Sequence, residues 1–166
     1  MAWPYHPMIQ SAKSSDDVAT LREQALRALS RREYSRQELA QKLTTDTTDN
    51  SLLQTLLNDL ESEGLLSDAR YVEALVHVRQ PRYGRQKILH ELRTKGIAES
   101  LLLDADAALR DTEYERARQV WQKKFTALPK NTVDQARQWR YLWSRGFDAD
   151  TIKRLLRSDL ALTDEV

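Results

Sequence analysis

The chain has 166 residues, a formal net charge of +1, 40% hydrophobic and 31% charged residues, and only four glycines and four prolines. This composition predicts a mostly helical protein, the size of one domain or a short array of repeats, with charged outer faces. The lack of cysteine excludes disulfides and thiolate-bound metals, and the sequence shows neither a membrane-spanning apolar run nor a secretory signal, so we expect a cytoplasmic protein.

The first predicted unit contains three helices whose ends are marked by capping residues. The start of its second helix is marked by an S-x-x-E capping box, formed by Ser35 and Glu38. Tyr34 and Leu39 flank this cap with the spacing of a hydrophobic staple. Asp49 is the predicted N-cap of the third helix. The residues assigned to the three apolar faces are Val18, Leu21, Ala25 and Leu29, then Leu39 and Leu43, then Leu52, Leu53, Leu56, Leu57 and Leu60.

The second predicted unit repeats this pattern 49 residues later, where "YGRQ" follows the earlier "YSRQ". Tyr83 and Ile88 keep the staple spacing, and Gly84 replaces the capping serine. The stretch Lys95–Ile97 has the cation, glycine and apolar residue of a Schellman-type stop. Ala98 then falls at the next N-cap, where alanine costs about 1 kcal/mol relative to serine or aspartate. The apolar faces carry Tyr71, Val72, Leu75 and Val76, then Ile88 and Leu92, then Leu101, Leu102 and Leu109.

The third predicted unit is recognised mainly by the end of its second helix, where Arg145–Phe147 repeats the stop signal. We expect Asp134 to cap that helix and Asp148 to cap the one that follows. Trp139 and Trp143 share a helical stripe and are predicted to lie in the core. The remaining apolar positions are Tyr114, Ala117, Val120, Trp121 and Phe125, then Ala136 and Leu142, then Ile152, Leu155 and Leu156.

These elements predict an all-α protein with three helices in each of three tandem helix-turn-helix-like repeats. One such unit buries only a small core, so stacked neighbours are expected to form an elongated, curved array. The predicted boundaries are an N-terminal flexible tail at 1–15, repeats at 16–66, 67–110 and 111–160, and a C-terminal tail at 161–166.

Positive charge is concentrated in the second and third predicted repeats. Residues 1–68 carry seven Lys and Arg against eleven Asp and Glu, whereas Arg70–Lys95 holds seven cations and two acids. A field of this sign attracts phosphates or an acidic protein surface, although any single cation also fits an ordinary solvated helix face. The candidate contact residues are Arg79, Arg82, Arg85, Lys87, Arg93, Lys95, Lys123, Lys124, Arg137, Arg140 and Arg145.

Catalytic patterns are missing from the sequence. His6, His77 and His90 lack the spacing of a helical zinc site, and the four glycines are too scattered for a phosphate-binding loop. No nucleophile elbow is present, and acids such as Asp104 and Asp106 fit the polar face of a helix. We therefore expect no catalytic residues, no metal and no cofactor, and we predict that the protein is not an enzyme.

Several stretches in combination resemble the RecX family, bacterial regulators of the RecA recombinase. They are "GLLSDARYVEALVHVRQPRYGRQKILHELRTKGI" at Gly64–Ile97, "WQKKF" at Trp121–Phe125, "RQWRYLWSRGFDADTI" at Arg137–Ile152, and "ALRALSRREYSRQELAQKL" at Ala25–Leu43. The resemblance covers about residues 18–158. It implies three tandem three-helix units and a protein that binds the RecA–DNA filament, where it blocks extension or promotes disassembly. Recombinase, ATPase and coprotease activities would thereby be restrained, with no catalytic residues to carry over.

Two further hypotheses stay open at this point. A helical-repeat module that binds nucleic acid directly is one, although a near-neutral net charge argues against strong DNA affinity. A scaffold for some other protein is the second. The leading expectation is a monomer whose partner is the RecA filament, with weak binding of single- or double-stranded DNA and no membrane partner.

Overall fold

The computed structural model describes residues 8–44 and 49–157, and these residues form eight α-helices and no strand. The all-α prediction is confirmed. The helices are α1 (Met8–Leu29), α2 (Arg36–Leu43), α3 (Asn50–Ser62), α4 (Asp68–Arg79), α5 (Arg85–Thr94), α6 (Glu99–Gln122), α7 (Thr132–Ser144) and α8 (Ala149–Arg157).

Two predicted element boundaries differ from the structure. The third helix of the second repeat and the first helix of the third repeat are one helix, α6, so the boundary predicted at residues 110–111 lies inside it. No glycine or proline interrupts this stretch, so nothing in the local sequence ends the helix. Likewise α1 begins at Met8, so residues 8–15 of the predicted tail are helical. Residues 1–7 and the C-terminal tail at 161–166 lie outside the described residues.

The described helices form two compact units, which divide between Tyr71 and Val72 within α4. In the first unit, α1, α2 and α3 pack against one another. Their shared core includes both staple residues, Tyr34 and Leu39, which are buried as predicted. The other members of this core are Ala25, Ala28, Leu43, Leu53, Leu56, Leu57, Leu60 and Leu66.

In the second unit, α6 is the central helix, and α5, α7 and α8 pack against it. One core cluster joins the end of α6 to α7 and α8 through Ala117, Val120, Leu142, Phe147, Ile152, Leu155 and Leu156. Nearer the start of α6, Leu102 and Leu109 are buried, as are Ile88, Leu89 and Leu92 of α5.

Most of the helix ends match the capping residues in the sequence. Gly96 and Gly146 adopt positive φ angles of 73° and 85°, and the amides of Ile97 and Phe147 bond back to Leu92 and Leu142. These are the predicted Schellman-type stops. Asp49 and Asp148 accept hydrogen bonds from the first turns of α3 and α8, again as predicted.

The predicted cap of α7 was wrong. Asn131, not Asp134, is the N-cap, and its side-chain oxygen accepts a hydrogen bond from the Asp134 amide at 2.8 Å. Asp134 instead lies in the first turn of the helix, where a negative charge is favourable because it faces the positive end of the helix dipole.

Gly84, at the N-cap of α5, makes a backbone contact that only glycine allows. A Cβ atom at Gly84 would lie 2.3 Å from the Gly146 carbonyl oxygen, and one at Gly146 would lie 2.4 Å from Lys87 Cβ. The Gly84 amide donates to the Arg145 carbonyl at 2.8 Å, and the Gln86 amide donates to the Gly146 carbonyl at 3.1 Å. The start of α5 is therefore held directly against the turn between α7 and α8.

Gly84→Ser should destabilise the protein by about 1–3 kcal/mol, because the added side chain overlaps backbone atoms that cannot move independently. The control is Ala98→Ser, at an exposed N-cap of α6 that has no side-chain cap. There serine should stabilise by about 1 kcal/mol. Urea unfolding measures both free energies. A stabilising Gly84→Ser would contradict the close-contact account.

Candidate functional site

A cationic groove in the second unit is the candidate functional site. It has a volume of about 350 Å³ and lies between the α4–α5 link, the end of α6 and the end of α7. Three of the predicted contact residues line it, namely Arg82, Lys123 and Arg145. The other lining residues are Pro81, Tyr83, Val120 and Tyr141.

Two tyrosine rings organise the cations of this groove. The guanidinium carbon of Arg145 lies 5.7 Å from the ring centre of Tyr83 and 5.2 Å from that of Tyr141. Lys87 Nζ lies 4.7 Å from the Tyr83 ring centre, and Lys124 Nζ lies 4.8 Å from that of Tyr141. Such cation–π contacts hold the positive groups near the groove. Lys87 Nζ also donates to the Ser144 carbonyl at 3.4 Å.

The groove lining contains cations and no acid. Among the side chains that the structure describes, those of residues 17–44 and 49–157, no carboxylate lies within ion-pair distance of Arg82, Lys123 or Arg145. Their charge is therefore not neutralised locally. Guanidinium and ammonium groups in this setting bind phosphate or carboxylate oxygens through charge-assisted hydrogen bonds.

Arg116 holds the backbone of Tyr83, a residue that lines the groove. It was not among the residues predicted from the sequence. Its side chain is buried, with Nη1 donating to the Tyr83 carbonyl at 2.9 Å and Nη2 to the Leu109 carbonyl at 2.8 Å. Burial lowers the pKa of Arg116. A signal was available, because Arg116 follows Leu109 by seven residues and so falls on the same helix face.

Arg85, by contrast, is partly buried, does not line the groove and is engaged by carboxylates of its own unit. Its side chain is only 15% exposed. Its amide and Nε donate to Glu113 at 3.1 and 3.2 Å, Nη1 donates to Asp106, and Nη2 lies 3.6 Å from Asp148. We therefore remove Arg85 from the candidate contact residues. Its role is to join α5 to α6 and to the start of α8.

The carboxylates around Arg85 have shifted pKa values. Burial, together with a hydrogen bond to Asp148, raises the pKa of Glu113. Burial opposes ionisation of Asp148 and Asp106, but hydrogen bonds with Glu113 and Arg85 respectively outweigh it and lower both pKa values. Glu113 is thus the member of this cluster that holds its proton most tightly.

The remaining predicted contact residues do not line the groove. Arg79 forms a two-point ion pair with Glu91 at 2.9 and 2.8 Å, and Arg137 pairs with Asp134 at 3.0 Å. Three others lie elsewhere on α5, its C-cap and α7: Arg93, Lys95 and Arg140.

The described tryptophans and histidines differ in their exposure to solvent. Trp143 was predicted to be in the core, but it is 58% exposed, because Leu142 rather than Trp143 faces α8 and the end of α6. Trp139 is partly buried against the core, as expected. His77 and His90 are exposed on their helices, and His6 lies outside the described residues.

Residues 8–44 and 49–157 contain neither a metal-binding cluster nor a membrane-spanning helix. No group of three His, Asp or Glu side chains there is arranged to hold a metal ion. None of the helices described above has the length and apolar character needed to cross a bilayer.

Comparisons with known proteins agree with the three-helix organisation. Models of the second and third three-helix domains of RecX match residues 67–105 and 111–156. The chain is similar to Regulatory protein RecX of Leptothrix cholodnii, at 44% identity over 83% of this chain and 88% of the relative. The protein of the same name from Herminiimonas arsenicoxydans is 40% identical over 84% of this chain and 92% of the relative.

Solved structures share the fold. The crystal structure of RecX from Lactobacillus salivarius has a TM-score of 0.76 and 23% identity, and the match covers 88% of this chain and 99% of that one. A second crystal structure, of regulatory protein RecX, has a TM-score of 0.77 and 21% identity, with coverage of 93% and 78%. The curated relatives are named for regulation and not for a reaction, which agrees with the prediction that the protein is not an enzyme.

Glu113→Gln should change the pH dependence of stability. The pKa of Glu113 is higher in the folded protein than in the unfolded chain, so protonated Glu113 stabilises the fold. This contribution to the unfolding free energy is complete below the unfolded-state pKa, at about pH 4, and is lost as pH rises through the folded-state pKa. The lowered pKa of Asp106, held by Arg85 and Arg110, acts in the opposite direction and is present in both proteins. The side-chain amide of glutamine at position 113 keeps a donor for Asp148, so the lowered pKa of Asp148 is expected in both proteins as well. The unfolding free energy of Glu113→Gln minus that of the wild type should therefore increase from about pH 4 to about pH 7.

Denaturant unfolding at several pH values measures this difference, and Glu115→Gln, at an exposed site on α6, is the matched control for loss of one carboxylate. A difference for Glu113→Gln that stays constant or decreases would contradict the assignment of the tightly held proton.

Proposed function

Because this chain belongs to the RecX family of regulatory proteins, we propose that it binds the RecA–DNA filament and restrains it through the cationic groove. The observation that carries this proposal is the cluster of Arg82, Lys123 and Arg145 around two tyrosines, none of them paired with a described carboxylate. This groove is suited to binding and has no chemistry of its own.

The proposed inhibition of RecA requires only that the protein occupies a site on the filament. A regulator bound along the filament blocks the addition of further recombinase or favours its release, without breaking any bond. Recombinase, ATPase and coprotease activities fall together, since all three belong to the assembled filament. This proposal places the protein in the cytoplasm as a monomer that regulates DNA repair and recombination.

The groove chemistry limits what it can contact. Arg82 and Arg145 offer planar donor arrays that fit a phosphate or a carboxylate, and Lys123 adds a compact positive charge. A RecA–DNA filament presents both kinds of anion, on its DNA backbone and on protein side chains. The groove is therefore proposed to contact the filament by protein–protein interaction assisted by DNA.

A second candidate function, a module that acts directly on nucleic acid, is favoured by the tyrosines of the groove. Tyr83 and Tyr141 are partly exposed beside the cations, and single-strand binding proteins combine aromatic rings with positive grooves in this way. The net charge of +1 argues against strong intrinsic affinity. A steep salt dependence on free DNA, without an effect specific to the recombinase, would favour this alternative.

Arg82→Glu combined with Lys123→Glu should weaken filament inhibition. Each reversal replaces an attraction by a repulsion of roughly 0.5–1 kcal/mol, so half-inhibition of RecA ATP hydrolysis on single-stranded DNA should need about tenfold more protein. For the wild type, inhibition should occur well below one regulator per recombinase.

The matched control is Arg93→Glu with Arg118→Glu, which changes the net charge equally at two exposed sites outside the groove. The control should retain inhibition, and circular dichroism should show equal helicity in both variants. Equal loss in both variants would reject the groove. No inhibition by the wild type, even in excess over recombinase from the same organism, would reject the proposed function.

A further inference from the structure

A second cationic groove lies in the first unit, between α1 and α2. Its volume is about 320 Å³. No residue of this groove belongs to the contact set predicted from sequence, because residues 1–68 carry more acids than cations. The lining residues are Gln24, Arg27, Ala28, Arg31, Tyr34, Lys42 and Leu43.

A tyrosine also organises the cations here. The guanidinium carbon of Arg32 lies 3.6 Å from the ring centre of Tyr34, and Lys42 Nζ lies 6.0 Å from it. Tyr34 is 8% exposed and belongs to the core of the unit, so the ring is a fixed support. The groove thus has a rigid wall, with Lys42 placed along it.

The groove keeps an excess of positive charge although the unit as a whole is acidic. Arg27 pairs with the exposed Glu23 at 2.7 Å, and Arg32 pairs with Glu38 at 2.9 Å. Across the described ranges, Arg31 and Lys42 have no carboxylate within ion-pair distance. Two positive charges of the lining are therefore available to an anion.

The two grooves share the chemistry of their linings, although different elements form them. One lies between α1 and α2, and the other lies between the α4–α5 link, the end of α6 and the end of α7. Each is lined by arginine and lysine, with a tyrosine ring in contact with a cation and no lining acid. Repeated sites of one chemistry fit a ligand that repeats one anionic group at close and regular spacing, as a nucleic-acid backbone does.

We propose that the groove between α1 and α2 is a second anion site, which binds phosphate groups of a nucleic-acid backbone through Arg31 and Lys42. The site is defined by its own geometry. It rests on the proposed function in one respect, which is that the nucleic acid is taken to be the DNA of the RecA filament.

The test uses the full chain and a fluorescein-labelled single-stranded oligonucleotide. Fluorescence anisotropy gives the binding constant at salt concentrations from about 50 to 200 mM. The slope of log K against log salt is negative, and each lost phosphate contact reduces its magnitude by about 0.7 for single strands, so Arg31→Gln with Lys42→Gln should reduce the magnitude by about 1.4.

Two matched variants complete the design. Arg31→Lys with Lys42→Arg keeps both charges and should keep the wild-type slope. Arg93→Gln with Arg118→Gln removes two exposed charges outside both grooves and should also leave the slope unchanged. Because Arg31 and Lys42 are exposed and in no ion pair with a described residue, circular dichroism should show all variants folded.

The outcomes separate this proposal from the proposed function, because RecA ATP hydrolysis is measured in parallel. A slope of smaller magnitude for the groove variant alone supports the second site. Equal slopes for wild type and groove variant overturn it, as does an equal fall in the Arg93 and Arg118 control. If the slope is unchanged but filament inhibition weakens, the groove binds an acidic protein surface, which overturns the nucleic-acid assignment and leaves filament regulation intact.

Discussion

The candidate groove depends on the buried ion cluster around Arg85. This residue is the first of α5, and its guanidinium reaches Asp106 and Glu113 of α6 and Asp148 at the start of α8. The Arg85 side chain is 15% exposed, and removing a carboxylate partner is expected to destabilise the unit because this partly buried charge is then less well compensated. The cluster therefore fixes α5 against α6 and α8. Tyr83, two residues earlier, is thereby carried to the end of α7.

The first unit uses an arginine at the corresponding place of the repeated motif. The Arg36 amide donates to Asp68 at 2.7 Å, and its guanidinium bonds Glu61 at 2.5 Å and Asn58 at 2.9 Å. The arginine that "YSRQ" and "YGRQ" share is therefore a structural residue in both units. Two of the groove cations that are in no described ion pair, Arg31 and Arg82, lie just before the motif, where the two sequences differ.

Most features set by local chemistry could be predicted, whereas several features set by packing between helices could not. The Asp49 cap and the glycine stops follow from hydrogen bonds within a few residues, so the sequence identified them. Burial of Arg85 and exposure of Trp143 depend on which neighbouring helix covers each face, which helical periodicity alone does not specify. The same applies to Gly84, which stands where the first unit has the capping serine. Glycine is needed there because the backbone contacts Gly146, in the turn between α7 and α8. Charge indicated a binding surface, but only the fold selected which cations share a groove.

Site-specific photocrosslinking from the groove tests the central claim most directly, that this surface contacts the RecA–DNA filament. A benzophenone amino acid would replace Lys123, which lines the groove, or Arg93, which does not. The account predicts a crosslink to the assembled filament from position 123, little from position 93, and loss of the product when ATP is withheld and the filament does not form. Crosslinking from position 93 but not from 123, or none from either in a folded protein that still inhibits RecA, would contradict the account.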